Sequence, residues 1–207
     1  MLWSDEVICG FGRLGADFGC NALGARPQMM SLAKALSSAY MPLSAAIITG
    51  EMYEALVDPV SEVGVFGHGY TYSGHPVACA VAGKVLEIYQ RDQLFDHAAR
   101  EGAYLQDRLQ GLADHPLVGE ARGMGMIGAV ELVADKEQRT PFTANVAAYC
   151  QKRCEEGGLI LRALGGNAVA MCPPLIITRE QIDELFAVLT KALDETLDYA
   201  RAEGLLA

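Results

Sequence analysis

The clearest pattern in the 207-residue chain lies at its carboxyl end, where Ile182, Leu185, Phe186, Leu189 and Leu193 recur at helical spacing between charged and polar positions. The spacing predicts an amphipathic helix. Thr178 stands just before it with Gln181 three residues on, a pair that can satisfy the first backbone N–H groups reciprocally. A second helical stripe runs through 92–112, with Leu94, Ala98, Leu105, Leu109 and Leu112 on one face. The more uniformly apolar stretch 75–90 reads as a helix opened by Pro76. Between these, 125–133 reads as a strand and 143–157 as a helix. The runs 159–164 and 168–174 read as a strand pair across Gly165-Gly166.

The first 77 residues have a different texture. Short apolar runs stand between glycines and prolines, and "LSAAIITG" at 43–50 reads as a buried strand of the kind an α/β sheet covers on both faces. This part supplies two strands, fewer than a stable parallel sheet needs. The expectation is therefore a chain that begins inside a domain, the carboxyl-terminal portion of something larger.

Composition narrows the function classes. The residues are 51% hydrophobic and 20% charged, as in an ordinary globular protein. A formal charge of −10 argues against nucleic-acid binding, which needs clustered Lys and Arg. No apolar run reaches the roughly 18 residues of a membrane span, and the amino terminus has no basic-then-apolar signal. The six cysteines show no CxxC pair and no His at zinc spacing, so no metal site is expected and the thiols suit a reducing cytoplasm.

Two residues carry candidate chemistry. Asp5, in "SDEVICGFGR" at 4–13, falls at the inner end of the first strand, where a carboxylate is costly without a partner. Lys34 sits among apolar and small residues just before a serine-rich turn. Desolvation there favours the neutral amine, a nucleophile for imine chemistry with an aldehyde. A lysine at a helix end that snorkels to solvent, and an aspartate that caps a turn, have the same spacing. Together the two suit pyridoxal phosphate: a lysine to bond the aldehyde and an acid to keep the pyridine nitrogen protonated.

The ordered stretches "SDEVICGFGRLG", "LAKALSSAYMPLSAAIITG", "GHGYTYSGHPVACAVA", "RGMGMIGAVELV" and "LILRALGGNAVAMCPPLIIT" resemble the class III aminotransferases, and within them the ω-amino acid:pyruvate type. The resemblance covers nearly the whole chain but only the carboxyl-terminal part of the family pattern. It implies the α/β fold of PLP-dependent transferases, fold type I. Residues 1–95 would be the later part of the large cofactor domain, and 96–207 the small carboxyl-terminal α/β domain. The implied reaction is ping-pong transfer of an amino group from an amine or ω-amino acid to pyruvate.

The resemblance also assigns roles. Asp5 matches the aspartate that pairs with the pyridine nitrogen, and Val7 the residue packed on one ring face. Lys34 matches the lysine that bonds the cofactor and shuttles the α-proton. Thr71 matches a threonine reaching the cofactor phosphate of the neighbouring subunit, which implies a homodimer. Arg162 matches a mobile arginine that forks onto a substrate carboxylate; an edge-strand surface arginine is the plainer alternative. Ala35 and Ala39 stand where the family usually has glycine, and each would strain the lysine loop if its φ were positive.

His68 and His75 read as loop and helix-start residues rather than bases. Other functions consistent with the same motifs are a decarboxylase, an aminomutase, or an inactive remnant acting as an assembly partner. A hydrolase built on Asp5, Glu6 and His75 lacks a nucleophile elbow.

Overall fold

The computed structural model describes residues 1–65 and 67–206, with backbone alone at 58–61 and 63. The chain forms two compact units, Met1–Asp96 and His97–Ala207.

In the first unit, β1 (Trp3–Asp5), β2 (Met29–Leu32) and β3 (Ala45–Ile48) make one sheet in that order. β1 runs parallel to β2, pairing Trp3 with Met29 and Asp5 with Ser31. β3 returns antiparallel on the other side. The expected second strand is thus present, and a third, β2, lies between the two predicted ones. Alternation puts Met30, Leu32 and Ala45 on one face, where Leu32 packs with Phe11, Val85 and Tyr89. Val85 and Tyr89 come from α3 (Pro76–Arg91), whose N-terminus is capped by His75 accepting from the Ala78 N–H.

Coverage of both sheet faces was expected from the apolar run at 43–50, but Ile47 in β3 is 43% exposed. The rest of this unit holds α1 (Gly19–Ala22) and α2 (Gly50–Val63). Pro59 within α2 conceals that helix in the sequence, because proline opposes a helix interior.

The boundary between units falls in the first turn of α4 (Leu94–Gln110), which a short 3-10 turn extends to Asp114. The second unit is built on an antiparallel sheet, ordered β4 (Val118–Met124), β5 (Ile127–Asp135), β8 (Ala168–Met171) and β7 (Arg162–Leu164). The two-residue β6 (Thr140–Pro141) adds to β5. Helices α5 (Val146–Glu156) and α6 (Arg179–Ala202) complete it. The predicted stripe of α6 is buried, with Ile182, Leu189 and Leu193 fully enclosed. So are Ala98, Leu105 and Leu109 of α4. The capping box forms as expected: Thr178 Oγ1 accepts from Gln181 N–H, and Gln181 Oε1 accepts from Thr178 N–H.

β4 escaped the sequence pattern because Gly119 and Gly123 interrupt its apolar alternation. Those positions are small for a reason. A Cβ on Gly119 would meet Val133, and one on Gly123 would meet the Ile127 carbonyl across the hairpin. At the β7–β8 turn, buried Asn167 has φ of 61° and ties the turn to α5. Its Oδ1 accepts from Ala147 N–H and its Nδ2 donates to the Ala144 carbonyl. Among the described residues no helix is long and apolar enough to cross a membrane.

His115 gives this unit a pH dependence. Its Nδ1 accepts from Leu117 N–H, and its ring is nearly enclosed with Asp194 Oδ1 3.4 Å from Nε2. Burial lowers its pKa below the ordinary value, and Asp194 offsets only part of that. The unfolded chain therefore takes the proton first. This stability is fully present above the ordinary histidine range, near 6.5, and is lost as pH falls from there through the depressed folded value. Urea unfolding should show that the wild type loses more stability than His115→Asn between pH 8 and pH 5.5.

Candidate active site

The parallel pairing of β1 and β2 brings two candidate residues to the same end of the sheet. Asp5 ends β1, and Lys34 follows two residues after β2 ends. The carboxyl ends of parallel strands are where open α/β sheets bind ligands, because the chain leaves the sheet there and opens a crevice.

Asp5 is exposed, not buried as expected. Its Oδ1 accepts from Val7 N–H at 3.1 Å, an aspartate-capped turn. Its other oxygen has no partner among the described residues. The buried carboxylate is the neighbouring Glu6, only 1% exposed. Glu6 Oε1 accepts from Ser4 Oγ and Cys20 N–H, and Oε2 from Gly19 N–H, all at 2.7–2.8 Å. Burial pushes this carboxyl up, but the Ser4, Cys20 and Gly19 hydrogen bonds outweigh it and hold Glu6 below its ordinary value. Val7 is half-buried.

Lys34 is likewise exposed, where a desolvated amine was expected. Among the described residues its amine has no hydrogen-bond or ion-pair partner. Its backbone is in the left-handed region, φ 44°, uncommon for any residue other than glycine and a form of strain that concentrates at functional positions. The following 3-10 turn (Lys34–Leu36) is fastened from two sides. Tyr89 Oη in α3 donates to the Ala35 carbonyl at 2.8 Å, and buried Ser37 donates through Oγ to the Met41 carbonyl at 2.6 Å. Neither tie was legible in the sequence, since Tyr89 is 54 residues from its partner.

Of the two alanines beside the lysine, only Ala39 has a positive φ, 61°. Replacing Ala39 by glycine should relieve a left-handed residue, less the entropy glycine adds to the unfolded chain. The expected gain is roughly 0.5–1 kcal/mol, read as a higher urea midpoint. The same change at Ala35 should give no gain.

Thr71 lies exposed in the turn Thr71–Gly74 ahead of α3, and no hydrogen bond among the described residues joins it to Asp5 or Lys34. His75 caps α3, as its position before Pro76 suggested. Arg162 belongs to the second unit. It opens β7, the edge strand, with an exposed side chain that has no partner among the described residues. The structure therefore brings Asp5, Val7 and Lys34 to one sheet end, and holds Thr71 and Arg162 on separate elements.

Residues 1–193 match the family profile described as aminotransferase class-III. The chain belongs to that family. This class III chain is 47% identical over 195 residues to a putrescine–pyruvate aminotransferase of Pseudomonas aeruginosa, covering 93% of this chain and 42% of the relative. It is 42% identical to the chloroplastic gamma aminobutyrate transaminase 3 of Solanum lycopersicum, over 93% of this chain and 37% of that one. Among solved structures, the omega transaminase of Pseudomonas jessenii in complex with PMP is 44% identical. It superposes with a TM-score of 0.92 over 96% of this chain and 44% of its own. The class III chain thus spans less than half the length of the relatives it matches, and its fold is that of these PLP-dependent, fold type I transaminases.

Proposed function

We propose that the protein transfers an amino group from an amine or ω-amino acid to pyruvate by a ping-pong route, with pyridoxal 5'-phosphate as its cofactor. One observation carries this reading: an amine on a strained backbone at Lys34 and a carboxylate oxygen of Asp5, neither with a partner among the described residues, leave the same end of two paired parallel strands. That donor set fits the cofactor, which needs an amine for its aldehyde and an acid for its ring nitrogen. When bound, the group supplies an electron sink for the pair left by a broken C–H bond.

The remaining work falls to the chain. Asp5 would hold a proton at the ring nitrogen through its charge. Lys34 Nζ would hold the cofactor through its aldehyde carbon, then take the proton from the substrate carbon that bears the nitrogen and return it to the carbon on the other side of that nitrogen. Val7 would pack against one face of the ring. Thr71 would donate to the phosphate of a neighbouring subunit's cofactor, which would make the working unit a homodimer. Arg162 forks onto the carboxylate of the amino acid or keto acid and leaves it free when a plain amine enters. Residues 1–95 act as the later part of the cofactor domain and 96–207 as the small domain.

The similarity to a putrescine–pyruvate enzyme supports pyruvate as acceptor. The test is alanine formation from pyruvate with putrescine or 4-aminobutyrate as donor, beside glutamate formation from 2-oxoglutarate. Alanine should form at least about tenfold faster, a preference of the size that discriminating contacts in a pocket supply. Equal or reversed rates would overturn the pyruvate assignment, and no product with either acceptor would overturn the transaminase reading.

A further inference from the structure

The best-held side chain near Asp5 is one that the reaction above does not use. Glu6 is fixed from three segments at once. Its own N–H donates to the Ser31 carbonyl of β2 at 3.0 Å, and its carboxylate takes the Ser4 hydroxyl. It also takes the Gly19 and Cys20 amides from the far end of the glycine-rich loop. The loop is shaped around it. A Cβ on Gly10 would come within 2.9 Å of the Glu6 carbonyl, and one on Gly19 within 3.0 Å of Glu6 Oε2. The Asp5 carboxylate, by contrast, has a single hydrogen bond among the described residues, from Val7 N–H.

We propose that Glu6 is the positioning residue for Asp5. Successive side chains in an extended chain point to opposite faces. Locking Glu6 inward on one face therefore turns Asp5 out on the other, where its second carboxylate oxygen stands at the sheet end. The inference rests on reading Asp5 as the partner of the cofactor's ring nitrogen. Three donors converge on Glu6, so the site requires an acceptor at both oxygens. Glu6→Gln sets an amide N–H₂ against at least one of them, and the loop and Asp5 shift together.

The test compares the full chain with Glu6→Gln and with the milder Ser4→Ala, which removes one donor of the three. Amide hydrogen exchange is read by NMR at Val7, Gly19 and Cys20. The ring nitrogen of ¹⁵N-labelled pyridoxal phosphate bound to the chain is followed in parallel. In Glu6→Gln the Val7 amide should exchange about tenfold faster along with Gly19 and Cys20. The ring nitrogen signal should move from the protonated toward the unprotonated position. Faster exchange at Gly19 and Cys20 alone, with Val7 and the ring nitrogen unchanged, would show that Glu6 only pins the loop and would overturn the proposal. If Glu6→Gln does not fold, Ser4→Ala decides by the same readings. If the wild-type chain takes up no labelled cofactor, the functional reading fails, and the amide comparison still decides whether Glu6 orients Asp5.

Discussion

Lys34→Ala is expected to lower amine-to-pyruvate turnover by about 10²–10⁴-fold through the lost proton transfer alone, with a further loss from the missing covalent anchor. Stability should hardly change. The side chain is exposed and has no partner among the described residues, and alanine meets the same left-handed backbone that lysine already occupies. Steady-state alanine production and a urea melt, run on one preparation, separate the two effects. Added methylamine should restore part of the turnover by standing in as a diffusible base. A variant that keeps more than about a tenth of wild-type turnover would show that Lys34 does not move the proton.

The second large effect is on stability. Phe186 lies on the buried face of α6, 2% exposed, with the Arg108 guanidinium 5.8 Å from its ring centre. Phe186→Ala removes a large side chain from a core that includes Leu105, Leu189 and Cys154, and should cost about 3–5 kcal/mol by urea unfolding. Arg162 stands on β7 in the same unit, whose Ala163 N–H is held by Gln151 of α5. On the role proposed for Arg162, loosening this core should weaken keto acid binding before it affects cofactor attachment. A cost below about 1 kcal/mol would mean that the α6 face is not the packed core described here.

The parts of this fold that were legible in the sequence are those where a long periodic signal and a local chemical cue coincide. α6 is the best case: five buried positions at helical spacing and a capping box at Thr178 point to one start and one face. The class III family was legible because Asp5, Lys34, Thr71 and Arg162 sit in ordered, specific stretches of sequence.

Near the site the signal failed for a physical reason. β1 has only three residues, too few for a period of two to reveal which face is buried, so Asp5 was read as the inward carboxylate where Glu6 is. Lys34 has apolar neighbours in sequence, yet the left-handed turn carries its side chain into solvent. The hydrogen bond from Tyr89 to Ala35 and those from Cys20 and Gly19 to Glu6 join distant segments, and no local pattern encodes such contacts. β4 was hidden because close approach in its hairpin demands glycine, the residue that otherwise signals a turn.

The most direct test of the central claim is to incubate the wild-type chain with pyridoxal phosphate, reduce it with borohydride and map the labelled peptide. A reduced adduct on Lys34 is expected, competed away by an amine donor added before reduction. No adduct, or one spread over Lys84, Lys136 and other surface lysines with Lys34 unlabelled, would contradict it.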